Sequence, residues 1–120
     1  MRAAVLGQPI SHSLSPAIHN AGYKALGLAH DFTAIECNKE SFKHVLESCD
    51  ESWMGLSLTM PLKEVAFTIA DTVTSVALLA RSINTLLLSD KIHADNTDVY
   101  GIVQAVREHS LVKTHRAVII

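Results

Sequence analysis

Apolar runs of strand length alternate with helical patterns from one end of the chain to the other, and this alternation constrains the fold most. Strands are predicted over residues 3–6, 30–35, 54–58, 83–88 and 117–120. Helices are predicted between them, over residues 16–26, 40–49, 61–70, 73–80 and 97–109, with Gly27 placed to close the first. Alternating strands and helices favour right-handed βαβ crossovers. We therefore predict an α/β fold, a three-layer sandwich in which helices cover both faces of a mainly parallel sheet.

Two segments add detail to this prediction. Residues 86–95, LLLSDKIHAD, also fit a short hairpin that turns at Ser89 and Asp90, and such a hairpin would make the sheet mixed. The final letters HRAVII are typical of the opening of a buried parallel strand, and the sequence stops where a turn and a helix are expected. We therefore expect one domain over residues 1–115 and a second, truncated domain from residue 116. A G-x-G-x-x-G turn after that strand would be the test, and this sequence has no such glycine cluster.

The composition argues against several classes of partner. Lys and Arg number 10 against 12 acidic residues and are scattered, so we expect neither nucleic acid nor an anionic membrane surface to bind. The longest apolar stretches, such as residues 76–80, are far too short to span a membrane, and residues 1–10 lack a signal-peptide profile. We expect a cytoplasmic protein, for which a small polar organic molecule remains an open partner.

The cysteines and histidines do not form a metal-binding pattern. Cys37 and Cys49 lie twelve residues apart without a C-x-x-C motif, which favours buried thiols over a disulfide or a metal site. The seven histidines show no ligand spacing such as H-E-x-x-H. We assign no metal to the protein.

Four polar segments fall where ligands bind in open α/β sheets, in the loops at the carboxyl ends of strands. QPISHSLSP follows the first strand, SLTMPLK follows the third, INT lies at the fourth, and DNTD precedes a helix. Since the carboxyl ends of parallel strands meet at one edge of a sheet, we predict that the four segments line one pocket.

The segment SHSLSPAIHN carries two serines directly before a predicted helix. Ser15 precedes Pro16, and this pair is typical of a helix start, because a serine oxygen accepts from first-turn amides and proline suits the first helical position. Capping uses one serine and leaves Ser13 unexplained.

Lys63 lies in the first turn of the helix that is predicted to begin at Pro61. The positive end of a helix dipole disfavours a cation by about 0.3–1 kcal/mol. Lys63 is therefore either an ordinary surface lysine or a functional one, whose proton the dipole makes easier to exchange with a substrate oxygen.

DNTD and Asn84 each have a structural and a functional interpretation. The first three residues of DNTD are competent helix caps and Asp98 suits the positive helix end, yet four capping-type residues exceed what one cap requires. Alternatively, the Asp98 carboxylate pairs with the Lys63 ammonium and gives an acid and a base near one hydroxyl. Asn84 interrupts an apolar run, so its amide must find partners. It either ties two loops together or binds a substrate hydroxyl.

Together, SHSLSPAIHN, SLTMPLK, SINTL and DNTD, in this order and at these separations, resemble the substrate-binding domain of the shikimate dehydrogenase family. The resemblance covers essentially the whole chain. It implies an NADP-dependent oxidoreductase of the shikimate pathway, in aromatic amino acid biosynthesis, which reduces 3-dehydroshikimate to shikimate. The S-x-S pair of that family binds the substrate carboxylate, which implies this role for Ser13 and Ser15.

The family's pocket residues fall on four further positions of this sequence. They imply that Thr59, Lys63, Asn84 and Asp98 line the ring hydroxyls, with Lys63 and Asp98 as the catalytic pair. Two positions depart from the family's pattern: Ser57 stands where the family commonly has Asn, and Val99 where it commonly has Gly. The first change leaves a smaller hydroxyl in place of an amide, and the second is expected to shift the backbone beside Asp98.

The resemblance also implies that NADP is bound by a Rossmann domain absent from this chain, of which residues 116–120 would begin the first strand. The 120 residues alone would then not complete hydride transfer. Two alternatives stay open: a quinate or dual quinate/shikimate dehydrogenase, and a stand-alone module that binds a hydroxylated carboxylate without chemistry.

Overall fold

The computed structural model describes residues 1–109, which contain six strands and four α-helices. The strands are β1 Arg2–Gly7, β2 Asp31–Glu36, β3 Trp53–Leu58, β4 Thr72–Val73, β5 Thr85–Leu88 and β6 Ile92–Asp95. The helices are α1 Ser15–Ala25, α2 Phe42–Glu47, α3 Ser75–Ala80 and α4 Asp98–His109. The predicted strand over residues 117–120 and the domain boundary at residue 116 lie outside the described residues.

The six strands form one sheet in the order β2-β1-β3-β5-β6-β4. β1 pairs in parallel with β2 and β3, and β4 pairs in parallel with β6. β5 runs antiparallel to both of its neighbours, β3 and β6. The hairpin interpretation of residues 86–95 is therefore confirmed, and the sheet is mixed, with parallel pairs on either side of one reversed strand.

Alternate residues of β1 point to opposite faces of the sheet, and each face has its own apolar core. Ala4 and Leu6 belong to the larger core, which α2, α3 and the segment between β3 and β4 cover. Ala3 and Val5 belong to the smaller core, against which Tyr23 of α1 packs. A buried strand with helices on both faces confirms the predicted three-layer α/β sandwich.

The helix predicted over residues 61–70 is wrong. The segment forms turns and a short 3₁₀-helix over Val65–Thr68. The Lys63 carbonyl accepts the Ile83 amide at 2.9 Å, so this carbonyl ties two loops together instead of continuing a helix. Leu62 and Ala66 are fully buried, so packing against the larger core fixes the segment.

Other boundaries differ for local reasons. The helix predicted over residues 73–80 begins later, because Thr72–Val73 form β4 and Thr74 caps α3 by accepting the Ala77 amide. A two-residue strand carries no periodic signal from which it could be predicted. Gly27 follows α1 with a φ of 67°, as predicted.

The two cysteines are free thiols. Cys37 is buried, as predicted, whereas Cys49 is only half-buried, and this burial raises the pKa of its thiol. Within residues 1–109, no helix has the length and apolarity that crossing a membrane requires.

Candidate functional site

The reversal of β5 brings the four polar segments to one edge of the sheet. β1 and β3 end at this edge, while β5 begins there, since Thr85 pairs with Ser57. β6 ends there too, since Asp95 pairs with Thr85. The prediction that all four segments follow carboxyl ends of strands is therefore wrong for INT, whose Asn84 precedes a strand.

Lys63 and Asp98 form an ion pair at this edge. The Lys63 ammonium donates to Asp98 Oδ2 at 2.5 Å, and the two side chains are 32% and 43% exposed. Asp98 is the first residue of α4, where the helix dipole favours a negative charge. The pair is thus fixed from the Asp98 side while both groups stay accessible to a bound molecule.

The expectation that Lys63 opposes a helix dipole is wrong, because no α-helix begins at Pro61. Lys63 lies in a turn, and its carbonyl is held by the Ile83 amide. The lysine is positioned by this backbone tie and by Asp98, and no dipole penalty attaches to it.

Asn84 is buried and uses its whole side-chain amide inside the protein. Its Nδ2 donates to Thr97 Oγ1 at 2.9 Å and to Asp98 Oδ1 at 2.7 Å. Its Oδ1 accepts from the Thr97 amide at 3.0 Å and from Thr85 Oγ1 at 2.9 Å. Since both amide protons are committed, Asn84 ties the β5 loop to the start of α4 and holds Asp98. We call Lys63, Asn84, Thr97 and Asp98 the polar cluster.

Each residue of DNTD has a separate task, and sequence reasoning treated the first three only as helix caps. Asp95 accepts the Thr74 hydroxyl at 2.5 Å and the Asn96 amide at 2.7 Å. Asn96 accepts the amide of Val99 in the first turn of α4, and it also donates to the Ser82 carbonyl. The surplus of capping-type residues was the signal that could have indicated these contacts.

Ser13 and Ser15 lie in the segment after β1, which we call the serine segment, residues 11–15. Ser13 Oγ accepts the Ser15 amide at 3.3 Å. The prediction that Ser15 caps α1 is wrong, since the cap residue is Leu14 and no side chain caps this helix. Both serines are half-buried. Among the hydrogen bonds of the described residues, neither hydroxyl serves as a donor.

Thr59 ties the loop after β3 to the end of β1 through the backbone. Its amide donates to the Leu6 carbonyl at 2.9 Å, and the Gln8 amide donates to the Met60 carbonyl at 3.0 Å. Gly7 permits this approach, because a Cβ there would lie 2.3 Å from Thr59 Cγ2. The loops after β1 and β3 therefore lie in direct contact.

The two positions that depart from the family's pattern, Ser57 and Val99, lie on β3 and in the first turn of α4. Ser57 is half-buried on β3 beside Thr85. Val99 is 41% exposed, and its amide donates to Asn96 Oδ1 at 3.1 Å within the first turn of α4. Val99 therefore lies in a regular first turn of α4, with its side chain toward solvent.

The arrangement can exchange a proton and bind an anion. The ammonium of Lys63 and the carboxylate of Asp98 form a hydrogen-bonded acid–base pair with solvent access. The serine segment adds hydroxyl donors, which suit a carboxylate. Over residues 1–109, no group of three His, Cys, Asp or Glu side chains is placed to hold a metal ion.

Known proteins resemble this chain in both sequence and fold. The family model described as shikimate dehydrogenase substrate binding domain matches residues 5–86. "Shikimate dehydrogenase (NADP(+))" of Xanthomonas euvesicatoria pv. vesicatoria (strain 85-10) is 43% identical over 109 residues, which are 89% of this chain and 38% of that protein. The protein of the same name from Marinobacter nauticus is also 43% identical over 109 residues, 88% of this chain and 40% of that one.

Solved structures agree with these relatives. A shikimate 5-dehydrogenase from Mycobacterium fortuitum superposes with a TM-score of 0.83 at 44% identity, covering 88% of this chain and 41% of that one. The shikimate 5-dehydrogenase from Thermus thermophilus, in complex with NADP(H) and shikimate, superposes with a TM-score of 0.86 at 35% identity, covering 90% and 42%. The chain spans about two fifths of the length of the curated relatives it matches.

Proposed function

The chain belongs to the shikimate dehydrogenase family, as its substrate-binding domain, and we propose that it forms the substrate-binding and proton-transferring half of an NADP-dependent shikimate dehydrogenase. In this proposal the substrates are 3-dehydroshikimate and shikimate. Residues 116–120 would open the nucleotide-binding domain.

One observation carries the proposal: the Lys63–Asp98 pair lies at the same sheet edge as the serine segment, and Thr59 lies at this edge too, in the loop after β3. Shikimate carries a carboxylate at one end of its ring and hydroxyls at the other. A ligand of that shape needs anion donors and an acid–base pair at opposite ends of one pocket. The serine segment and the polar cluster supply these two chemistries.

The serines suit the carboxylate because Ser13 lies just before α1 and Ser15 is its first residue. Donor hydroxyls and the amides of a helix start favour a negative charge. Thr59 is half-buried in the loop after β3, and its hydroxyl is assigned to the substrate ring. The binding energy of these groups orients the ring toward Lys63.

Lys63 and Asp98 handle the proton of the reacting hydroxyl. When the 3-hydroxyl is oxidised, its carbon loses a hydride and its oxygen loses a proton, so a group must accept that proton. In the reduction, the Lys63 ammonium donates a proton to the carbonyl oxygen as the hydride reaches the carbon. Asp98 holds the ammonium at 2.5 Å, and Asn84 holds Asp98 at 2.7 Å. Asn84 therefore positions the pair, and it binds a substrate hydroxyl only by giving up one of these contacts.

NADP is assigned to residues outside those described. Residues 1–109 contain Gly7, Gly22, Gly27, Gly55 and Gly101, and no three of these glycines have the spacing of a G-x-G-x-x-G turn. The cofactor supplies the hydride chemistry, and the described residues supply substrate binding and the proton.

The complete gene product that contains this chain tests the proposal. We expect it to oxidise shikimate with NADP, and we expect the 120-residue chain alone to bind shikimate without turnover. The measurements are NADPH formation and NMR chemical-shift changes on titration with shikimate. Equal turnover by both forms, or oxidation of neither shikimate nor quinate, would overturn the proposal.

The same assay separates the two alternatives. A clear preference for quinate and NAD would assign the protein to quinate dehydrogenases. Shikimate binding without turnover in the complete product would make it a binding module. Lys43→Ala serves as a control throughout, because Lys43 is an exposed lysine that pairs with Glu47 on α2.

A further inference from the structure

A cavity of about 530 Å³ opens beside the turn that carries Lys63. Its polar lining comes from Lys39, Lys63, Glu64, Arg81 and Ser82. Neither serine of the serine segment nor Asp98 lines it. We call it the Arg81 cavity, and it is separate from the predicted carboxylate site.

The charges of the Arg81 cavity are unbalanced. Three cationic side chains line it, of which Lys63 is paired with Asp98 outside the lining, and the one lining carboxylate is Glu64, so a net positive charge remains. Within residues 1–109 the ion pairs are Lys43–Glu47 and Lys63–Asp98, so Lys39 and Arg81 have no carboxylate partner there. Cations that line one cavity repel each other, and a bound anion removes that repulsion.

Arg81 occupies a backbone position that suits glycine or asparagine. It ends α3 with φ 50° and ψ 36°, and among the described residues no other non-glycine residue has a positive φ. A side chain is strained in this left-handed region, and such strain is concentrated at functional sites. At Arg81 this strained backbone position coincides with a guanidinium that lines the cavity.

We propose that the Arg81 cavity binds a small phosphate-type dianion. An arginine guanidinium matches two phosphate oxygens at once, and a lysine adds a mobile point charge. Ser82 adds a hydroxyl donor at the same wall. Such an anion, free or as part of a nucleotide, would lie next to the lysine that pairs with Asp98. The proposal does not depend on the dehydrogenase activity.

The test measures inorganic phosphate binding to the 120-residue chain, at constant ionic strength with chloride as the reference. Phosphate should raise the thermal midpoint more than chloride does, because a ligand that binds the folded state stabilises it. Arg81→Asn should weaken phosphate binding about tenfold to a hundredfold, the range for losing a charge-assisted contact. Its midpoint without phosphate should stay equal or rise, since Asn tolerates the left-handed region.

Three further variants keep the proposal falsifiable. Lys39→Gln should also weaken binding, whereas Lys91→Gln, in the β5–β6 turn, and Ser13→Ala, in the serine segment, should leave it unchanged. Titrating NADP and NAD separates the sources: tighter binding of NADP, sensitive to Arg81→Asn, assigns a nucleotide phosphate, and equal weak binding assigns free phosphate. Equal phosphate and chloride effects, equal binding by Arg81→Asn, or loss of binding in Ser13→Ala would overturn the proposal.

Discussion

The polar cluster and the serine segment lie at one edge of the sheet but are built differently. In the polar cluster the side chains form hydrogen bonds with one another, and the single side chain of Asn84 contacts Thr97, Asp98 and Thr85. In the serine segment a single side-chain contact joins Ser13 to the Ser15 amide. One region is organised before any ligand arrives, and the other keeps hydroxyls available for one.

This difference matches the tasks that we propose for the two regions. A group that moves a proton must be held in place, since misplacing it costs rate. A group that binds a non-reacting carboxylate needs only to be present and unsatisfied by the protein. Substitutions should therefore lower turnover in the polar cluster and raise KM in the serine segment.

The largest expected effect is that of Lys63→Ala on turnover in the complete gene product. Loss of a general acid–base group typically lowers kcat by about 10²- to 10⁴-fold. Because the pair with Asp98 is partly exposed, the substitution should lower the free energy of unfolding by only about 0–1 kcal/mol. The measurements are kcat and the urea midpoint of the same variant.

Lys43→Ala is the matched control for this prediction, since Lys43 also pairs with a carboxylate but lies on α2. We expect its kcat to stay normal. A normal kcat in Lys63→Ala, with a lowered urea midpoint, would make Lys63 a structural lysine and break the comparison.

The next effect is on substrate binding, in Ser13→Ala and Ser15→Ala. A neutral donor to a charged group contributes roughly 1.5–3 kcal/mol, so each variant should raise KM for shikimate about tenfold to a hundredfold. Because the carboxylate does not react, its contacts are alike in the ground and transition states, and kcat should change little. Steady-state kinetics decides the matter, and an unchanged KM would remove the serines from the site.

Asn84→Ala should lower both the stability of the fold and the turnover. It removes the part-buried hydrogen bonds that Asn84 makes with the Thr97 amide and with Asp98, which should cost about 1–3 kcal/mol of unfolding free energy. It should also lower kcat, because Asp98 loses its support. The readouts are urea unfolding of the 120-residue chain and kcat of the complete gene product.

Asn20→Ala provides the matched control. The Asn20 amide likewise joins two elements, since it makes two hydrogen bonds with the Phe32 backbone at 2.8 and 2.9 Å, but it ties α1 to β2. It should lose similar stability and keep its kcat. If Asn84→Ala lost no more turnover than Asn20→Ala, Asn84 would stabilise the fold without positioning Asp98 and Lys63.

The sequence predicts much of this arrangement, for reasons that particular residues make clear. The alternation of apolar runs and helical patterns predicts the three layers, because a strand such as β1 that is buried on both faces needs helices on each face of the sheet. The order of the polar segments was enough to group Lys63 with Asp98. The helix at Pro61 was wrong because the Lys63 carbonyl bonds to Ile83, twenty residues away, and local propensity contains no such contact. Whether Asn84 ties loops or faces a ligand likewise depends on partners that only the fold brings together.

The smallest expected effect separates the two serines from each other. Ser13 Oγ accepts the Ser15 amide, so Ser13→Ala removes one partly buried hydrogen bond and should cost about 0.5–1.5 kcal/mol of unfolding free energy. Ser15 caps nothing in the described structure, so Ser15→Ala, a replacement by the best helix former, should keep or slightly raise stability. Urea unfolding of the two variants measures this split. Equal stability losses would mean that Ser15 is also held by the protein, and the serine segment would then be as preorganised as the polar cluster.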